Sequence, residues 1–488
     1  MRAPTRAIGV RFRAKSSSAA LLRACSPSRK LTCSRETLAL RSPAIKPMTS
    51  HSQGKRSSRK EPLLPPKGTR DLVGNEYLNY QGFAEKAAEI ALYYGFKPVE
   101  TPILEHEEVF TSGLSSATDI VGKEMYTLRT KGSDRLALRP EGTAPLVRAY
   151  LSEGMQALPQ PVMAYYYGPY FRHDNPQRGR YREFRQFGLE VMGSPKSIYD
   201  ALIVRLCVTI LGEAGIKNPC VEVNSLGCKE CREGYRRELS SYYRKHAKEV
   251  CAECRERLKS NPLRVLDCKN PKCAPIKESA PESIAYLCTE CKKHFKEFME
   301  YLDEMDVTYR INGSLVRGLD YYSRTVFEII SGDSAEEGAE SGSALALGGG
   351  GRYDYLARAL GSKKDVPAMG ASLGVDRILL SPSYTPLHPR IIKKPEIFFI
   401  QLGFDAKLRS FQVTEILRKA RIPIAHSLGK DSLGTQLGIA EKMDVPYCII
   451  LGQKEVIDGT VIVRTMANRS QDTVKLEKLP EYLKHLKR

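Results

Sequence analysis

The chain has 488 residues, 42% of them hydrophobic and 27% charged, which is typical of folded proteins with two or three domains. No uninterrupted apolar run approaches the ~18 residues that a membrane helix needs, so we predict no membrane span. The net charge of +20 is concentrated at the start, because residues 1–60 hold fifteen Lys and Arg against one acid. The remainder is mildly basic, which is compatible with an RNA partner but is weak support for one.

Residues 1–60 are rich in Arg, Ser and Ala and lack hydrophobic periodicity. Such a segment cannot bury enough apolar surface to fold, so we predict a basic disordered extension. The same composition is typical of an organellar transit peptide, which would send the protein to a mitochondrion or plastid. The alternative is that translation starts at Met48 and that the protein is cytoplasmic, and this is the prediction made here.

The folded sequence is expected to begin near Pro65, with a helix over 76–95 that carries one apolar stripe. The next segment, KPVETPILE, reads as a strand interrupted by Pro102, which suits an edge or an interface. A strand then runs into a helix through Pro140, Glu141 and Thr143. These elements predict the start of a mixed helix and strand domain.

The region 170–190 contains five arginines between two apolar, aromatic runs. This pattern predicts a strand, a long turn and a returning strand. Arginines on facing strands suit a polyphosphate, because guanidinium groups match phosphate oxygens in pairs. The alternative is a solvated basic hairpin, or one that contacts only a nucleic-acid backbone.

Between 228 and 291 lie three C-x₂-C pairs and one C-x₄-C pair. Four thiolates on tight turns are the usual ligands of structural Zn²⁺. We predict two zinc sites, one from Cys228, Cys231, Cys251 and Cys254 and the other from Cys268, Cys273, Cys288 and Cys291, although the pairing could be interleaved. Reduced, partly buried thiols are the alternative, and disulfides are the least favoured.

After the cysteines come a strand-like region with RGLDYY, a strand, glycine turn and helix in ALALGGGGRYDYLARAL, and a buried strand or helix in ASLGVDRILL. A proline-containing linker is expected over 386–394. From 395 onward, strands alternate with helices, which predicts a separate α/β domain. Acidic groups could hold a cationic substrate while arginines hold a phosphate, as joining an amino acid to ATP requires.

These motifs resemble those of the bacterial type of histidyl-tRNA synthetase, a class II aminoacyl-tRNA synthetase, from about Pro65 onward. FRHDNPQRGRYREFRQFGLE resembles motif 2, GASLGVDRILL motif 3 and VETPILE the dimer-forming motif 1. LVRGLDYYSRTVFE and ALGGGGRYD resemble the two segments peculiar to the histidine enzyme. The resemblance implies that histidine and ATP give histidyl-adenylate and pyrophosphate, and that histidine passes to the 3′ end of tRNA(His). It also implies Mg²⁺ and a homodimer.

Site residues follow from the resemblance. Those implied to bind histidine are Glu141, Thr143, Gln186, Glu190, Arg317, Tyr322 and Tyr353. Those implied to bind ATP are Arg172, Arg180, Phe184 and Arg377. Arg317 and Arg172 are the implied catalytic residues, Arg317 by stabilising charge at the α-phosphorus and Arg172 by gripping the α-phosphate.

The expected fold is therefore α+β. We predict an antiparallel-sheet catalytic domain over 61–385, a cysteine-rich helical subdomain inserted at 226–300, and an α/β anticodon-binding domain over 395–488. One rival is a synthetase-like regulatory protein that binds histidine without aminoacylating. Such proteins tend to lose catalytic arginines and the anticodon domain. In this chain, Arg317 with the RGLDYY segment and the C-terminal residues are all present. A second rival is an RNA-binding sensor, which would not need the complete arginine set.

Overall fold

The structure is a computed structural model, and it describes residues 62–113, 118, 120–332, 346–390 and 395–486. The predictions for residues 1–60 lie outside these ranges. Within them, every helix is too short or too polar to cross a bilayer.

The larger part of the molecule is organised by an eight-stranded sheet with the strand order β1-β5-β6-β11-β10-β9-β7-β8. Strands β2, β3 and β4, which follow β1 in the chain, form a separate three-stranded sheet with the order β2-β4-β3. The strands are β1 Lys97–Pro98, β2 Leu104–His106, β3 Thr127–Arg129, β4 Arg135–Leu138, β5 Val162–Phe171, β6 Glu183–Met192, β7 Cys220–Ser225, β8 Tyr309–Ile311, β9 Ser323–Ile330, β10 Ala346–Arg352 and β11 Ala368–Gly374.

The helices of this part pack on the sheet or form the insertion. They are α1 Asn75–Tyr93, α2 Glu107–Thr111, α3 Thr143–Ser152, α4 Ile198–Glu213, α5 Lys229–Lys245, α6 Ala252–Ser260, α7 Ala274–Glu278, α8 Thr289–Glu304, α9 Leu356–Ala359 and α10 Val375–Leu379. The predicted helix over 76–95 is α1, and its buried residues Phe83, Ala87 and Ala91 join the main core.

The six central strands of the large sheet pair antiparallel, and only the edge strands β1 and β8 pair parallel. The predicted arginine hairpin is β5 and β6, which pair over ten residues from Val162 opposite Met192 to Phe171 opposite Glu183. Side chains alternate along a strand. Phe187, Leu189 and Val191 of β6 therefore enter the core with α1 and α4, and the other face of β6 is left for polar residues.

The predicted glycine turn in ALGGGGRYD is wrong, because Gly348 to Gly351 lie inside β10. The reason is a close approach between main chains in the sheet. A Cβ atom at Gly350 would lie 2.0 Å from the carbonyl oxygen of Gly370 on the neighbouring strand. The glycines are needed for close packing between strands, whereas their local propensity favours a turn.

The insertion leaves the sheet after β7 and returns before β8. It contains α5 to α8 and has its own small core, which includes Tyr235, Leu239, Tyr243 and Leu266. Short 3₁₀ turns over Pro262–Asp267 and Pro271–Cys273 connect its helices.

The C-terminal part is a five-stranded sheet with the order β13-β12-β14-β15-β16. Its elements are β12 Ile397–Gln401, α11 Phe404–Lys419, β13 Ile424–His426, α12 Leu433–Lys442, β14 Tyr447–Leu451, α13 Gln453–Asp458, β15 Thr460–Thr465, β16 Gln471–Lys475 and α14 Leu479–His485. Parallel pairing of β12 with β13 and β14, through helical crossovers, confirms the predicted α/β character. Two apolar clusters use alternate residues of β12, so both faces of this sheet are covered.

Candidate active site

The polar face of β6 carries the residues on which the site is built. Phe184, Gln186 and Glu190 are separated by two or four positions, so their side chains lie on the same face of the strand. The register places Gln186 opposite Gly374 and Glu190 opposite Gly370 of β11. One face of strand β6 therefore runs from the arginine-rich hairpin turn to the buried acid Glu190.

Glu190 is fully buried, and three hydroxyl groups donate hydrogen bonds to its carboxyl group. Tyr353 donates to Oε2 at 2.5 Å, and Thr143 and Tyr166 donate to Oε1 at 2.8 and 3.2 Å. Burial raises the pKa of Glu190 to about 8, although these hydrogen bonds act in the opposite direction. The site can thus stabilise a carboxylate once a cationic or hydrogen-bonding ligand enters.

Glu141 lies at the start of α3, where backbone N–H groups have no helical partner. Its Oε2 accepts a hydrogen bond from the backbone N–H of Thr143 at 2.7 Å, and its Oε1 accepts one from Ala144 at 2.8 Å. Tyr321 also donates to Oε2 at 3.3 Å. Burial raises the pKa of Glu141 too. Thr143 bonds to both acids, so Glu141 and Glu190 form one buried acidic pair.

Gln186 and Tyr322 complete this part of the site. The side-chain oxygen of Gln186 is buried and has no hydrogen-bond partner among the described residues. An unpaired buried acceptor costs free energy, which points to a ligand donor that is absent here. Tyr322 is 7% exposed, and its ring centroid lies 4.8 Å from that of Tyr321.

A pocket of about 240 Å³ opens beside Gln186 and is lined by five arginines. These arginines are Arg172, Arg180, Arg185, Arg317 and Arg377. Phe184 lines the same pocket, and the Arg172 guanidinium carbon lies 5.2 Å from the centre of its ring. So many cations around one cavity are stable only if an anion or acidic side chains balance them. The pocket therefore suits a polyphosphate.

Main-chain carbonyl groups fix two of these arginines. Nε of Arg172 donates to the carbonyl of Pro140 at 2.9 Å. Nε and Nη1 of Arg377 donate to the carbonyls of Gly179 and Ala346 at 3.1 and 2.9 Å. Each guanidinium group keeps further N–H donors for a ligand.

Arg317 links the two halves of the site. Its Nη1 donates to Glu328 at 2.9 Å, and its guanidinium group lies beside the phenol of Tyr322. Its Nε is buried and has no partner among the described residues. Arg317, which also lines the arginine pocket, therefore has a buried donor that a ligand could use.

Comparison with known proteins identifies the families that match this chain. The family described as histidyl-tRNA synthetase matches residues 68–378, and the anticodon-binding domain family matches 397–486. The chain is 40% identical over 419 residues to the histidine–tRNA ligase of Desulforamulus reducens, covering 86% of this chain and 98% of that protein.

The chain belongs to the histidyl-tRNA synthetase family. It is also 40% identical over 414 residues to the histidine–tRNA ligase of Dehalococcoides mccartyi, covering 85% of this chain and 97% of that protein. The crystal structure of apo S. aureus histidyl-tRNA synthetase superposes with a TM-score of 0.70 at 28% identity, covering 86% of this chain and 99% of that one. The predicted class II fold and the predicted activity, histidine–tRNA ligation, are confirmed.

In this histidyl-tRNA synthetase fold, the residues expected from motif resemblance fall into two adjoining groups. Glu141, Thr143, Glu190 and Tyr353 make direct contacts around the acidic pair. The remainder line the arginine pocket or lie beside Arg317, namely Arg172, Arg180, Phe184, Gln186, Arg317, Tyr322 and Arg377.

Other residues of the synthetase site were missed from sequence. Tyr166 and Tyr321 donate to the two buried acids, and Glu328 pairs with Arg317. Tyr321 is the neighbour of Tyr322 in the RGLDYY motif, so the motif already contained it. Tyr166 was visible only as one of three successive tyrosines, and strand alternation alone does not tell which one enters the site.

Asp376 of motif 3 was not predicted as a site residue, yet it connects four segments. Its Oδ1 accepts from Tyr80 at 2.6 Å and from Arg70 at 3.1 Å, and its Oδ2 accepts from the backbone N–H of Arg185 at 2.6 Å. The carboxylate therefore holds the motif 2 strand against the first helix, next to Arg377.

The predicted grouping of the eight insertion cysteines is wrong. The structure gathers Cys228, Cys231, Cys288 and Cys291 into one group and Cys251, Cys254, Cys268 and Cys273 into another, each with all Sγ atoms within 4.8 Å. The insertion folds so that α8 returns beside the start of α5, which brings the last C-x₂-C pair to the first. Sequence spacing could not show this return.

Proposed function

We propose that this enzyme activates histidine between the Glu141–Glu190 pair and the arginine pocket, and then transfers it to tRNA(His). The observation that supports this most is the position of Arg317, which lies beside Tyr322 near the buried acidic pair and also lines a pocket with four more arginines. One half fits an amino acid with a positive charge, and the other fits a polyphosphate.

Histidine offers an α-ammonium group and an imidazole with two ring nitrogens. We assign the ammonium group to Glu141, Thr143 and Gln186, whose buried side-chain oxygen needs a donor. We assign the imidazole to Glu190 and Tyr322, with Tyr353 closing the pocket. A carboxylate and a phenol can together read both ring nitrogens. An analogue without them would leave buried polar atoms unpaired, which discriminates strongly.

In the activation step, a carboxylate oxygen of histidine attacks the α-phosphorus of ATP. A new P–O bond forms, the bond to the β-phosphate oxygen breaks, and pyrophosphate leaves. We assign Arg172 to the α-phosphate, Arg180 and Arg377 to the outer phosphates and adenine, and Phe184 to stacking on the base. Arg317 stabilises the charge that develops on the α-phosphate, which is electrostatic catalysis without proton transfer.

The family uses ATP with Mg²⁺, and the residues present fit that ion. Magnesium is usually held by one or two carboxylates together with substrate phosphates. Glu124 and Glu328 line the arginine pocket and are the candidate ligands. When bound, the ion neutralises charge on the phosphates.

In the transfer step, a hydroxyl of the terminal adenosine of tRNA(His) attacks the carbonyl carbon of the adenylate, and AMP leaves. We assign the anticodon to residues 395–488, and chemistry to residues 61–385 with the insertion at 226–300. Residues 386–394 are assigned as the linker. The match to the anticodon-binding family over 397–486 supports this division.

The experiment that tests the proposal is pyrophosphate exchange with each of the twenty amino acids. Exchange with histidine alone, followed by charging of tRNA(His), is the expected result. Histidine binding without exchange would favour the regulatory rival. The complete arginine set and the C-terminal domain argue against that rival.

We also propose that each four-cysteine group holds one structural Zn²⁺. Tetrahedral thiolates at about 2.3 Å from zinc are separated from each other by about 3.8 Å. The Sγ atoms of Cys228 and Cys231 are 3.5 Å apart, and those of Cys251 and Cys268, and of Cys254 and Cys273, are each 3.9 Å apart.

Backbone groups support this assignment. The N–H of Cys288 donates to Sγ of Cys231 at 3.1 Å, and the N–H of Cys251 donates to Sγ of Cys273 at 3.2 Å. Such bonds stabilise thiolates. Less than one zinc per chain in enzyme purified without chelator would contradict the assignment.

A homodimer is proposed from the motif 1 segment. Ile103 and Leu104 of this segment are 42% and 47% exposed, and β1 is the edge strand of the large sheet. A partner would cover this apolar surface. The mass of the enzyme in sedimentation equilibrium tests the dimer.

We propose the cytoplasm as the compartment. The four-cysteine groups assigned above need reduced thiolates, which a reducing compartment maintains. The prediction is a native N-terminus near Met48, checked by N-terminal sequencing. A native N-terminus produced by cleavage after an imported leader would instead favour an organelle.

A further inference from the structure

The loop that carries Arg317 and Tyr322 has no regular secondary structure of its own. Residues 312–322 lie between β8 and β9 without forming a helix or strand. A catalytic arginine on such a loop needs its main chain fixed by other parts of the fold.

The first half of this loop is fixed by the large sheet. Asn312 donates its backbone N–H to the carbonyl of Val223 on β7 at 3.0 Å. Nδ2 of Asn224 donates to the carbonyls of Gly313 and Leu315 at 3.2 and 2.9 Å. These contacts end at residue 315, before the RGLDYY motif begins.

The second half is held by the inserted cysteine-rich subdomain. Nη1 of Arg264 donates to the carbonyl of Gly318 at 2.8 Å, and Nη1 of Arg232 donates to the carbonyl of Tyr322 at 2.9 Å. Nδ2 of Asn261 donates to Oδ1 of Asp320 at 2.7 Å. Three side chains of the insertion therefore contact three of the last five residues of the loop.

At least one of these contacts is made by a buried side chain. Arg264 is 5% exposed, and burying a guanidinium group costs free energy unless hydrogen bonds or charge pairs compensate it. Val316, the residue before Arg317, packs on the core of the insertion. The insertion thus contacts the loop from Val316 to Tyr322.

Each of these three residues lies in a segment that starts at a cysteine of one of the two groups. Arg232 directly follows Cys231, and Asn261 and Arg264 lie between Cys254 and Cys268 of the other group. A metal bound to Cys254 and Cys268 would close the segment that carries Asn261 and Arg264, which removes much of its conformational freedom.

We propose that the inserted subdomain is a positioning device for activation, in which two metal-bound cysteine groups fix Arg232, Asn261 and Arg264, and these hold the catalytic loop. Asn261, Arg264 and Arg232 are positioning residues, because they act through Arg317 and Tyr322. The metal dependence rests on the zinc assignment made above, whereas the contacts to the loop stand without it.

A matched pair of asparagines makes the test sharp. Asn261 and Asn270 both precede a proline and both cap a 3₁₀ turn, accepting at Oδ1 from the N–H two residues ahead at 3.2 and 3.0 Å. Only Asn261 is seen to extend to the loop, through Nδ2. Replacement by aspartate keeps the capping oxygen at both positions and, at 261 alone, places a carboxylate against Asp320.

Asn261→Asp and Asn270→Asp are therefore compared in the full chain, with zinc content measured in each. We expect kcat for histidine-dependent pyrophosphate exchange to fall roughly 10- to 100-fold in Asn261→Asp with little change in KM for ATP. Asn270→Asp should stay within about twofold of wild type. Backbone amides over 316–322 should exchange hydrogen faster in Asn261→Asp only.

Amide exchange decides the proposal even without activity. Equal exchange over 316–322 in the two variants would overturn it, and would leave the histidine assignment untouched. Absence of histidine exchange in the wild type would instead contradict the assigned function. Removal of zinc by chelation should also expose 316–322 and lower kcat, reversibly on adding Zn²⁺, and unchanged protection there would overturn the role of the metal.

Discussion

The phenol of Tyr353 donates a 2.5 Å hydrogen bond to Oε2 of Glu190, a carboxyl group with no exposed surface. The two residues are far apart in the chain and meet because β6 and β10 flank β11 in the large sheet. This contact gives the proposed histidine pocket an acid whose charge is controlled by burial.

The first prediction concerns stability and pH. Burial raises the pKa of Glu190 from its ordinary value near 4.5 to about 8 in the folded enzyme. A carboxyl group whose pKa is higher in the folded state than in the unfolded state stabilises the folded state. This stabilisation is complete at pH values below the unfolded-state pKa and is lost as the pH rises through the folded-state pKa. The free energy of unfolding of the ligand-free enzyme should therefore fall between about pH 4.5 and 8, by roughly 3–5 kcal/mol from this group.

Glu190→Gln isolates this contribution. The difference in unfolding free energy between wild type and variant, from urea titrations at several pH values, should follow the curve of one acid. A difference that is constant across this range would contradict the raised pKa. The variant should also lose histidine-dependent exchange.

The second prediction concerns Arg317. Arg317→Ala removes a fixed guanidinium group from the place where charge develops, so kcat for histidine-dependent exchange should fall by about 10² to 10³. Arg358→Ala is the control, because this arginine is 55% exposed, pairs with Asp365 and is not part of the arginine pocket. Comparable losses in both variants would argue against a catalytic role for Arg317.

The third prediction concerns Gly370. A Cβ atom there would lie 1.5 Å from Oε2 of Glu190, so Gly370→Ala must displace the carboxyl group. We expect a loss of about 1–3 kcal/mol in stability and at least about tenfold in exchange rate. In contrast, a Cβ at Gly212, an exposed position in α4, meets nothing within 4 Å. Gly212→Ala should leave activity unchanged and stabilise the fold by up to about 1 kcal/mol, because alanine favours helices.

Local patterns predicted much of this fold, and non-local contacts account for the errors. The β5–β6 hairpin and helix α1 follow from alternation and helical spacing, which short segments display. Two features depend on residues distant in sequence, namely the glycine run in β10 and the grouping of the cysteines. The Asn261–Asp320 contact also joins residues far apart in sequence, and no local pattern indicates it.

The last prediction tests the cysteine grouping directly. In the structure, Cys231 and Cys291 belong to one group, whereas Cys254 belongs to the other. Cys231→Ser with Cys291→Ser should therefore leave one zinc per chain, because one group stays intact. Cys231→Ser with Cys254→Ser should leave none, because each group loses a ligand and structural zinc sites need four. The grouping by sequence order predicts the opposite result for both double variants, so metal analysis of the two separates the alternatives.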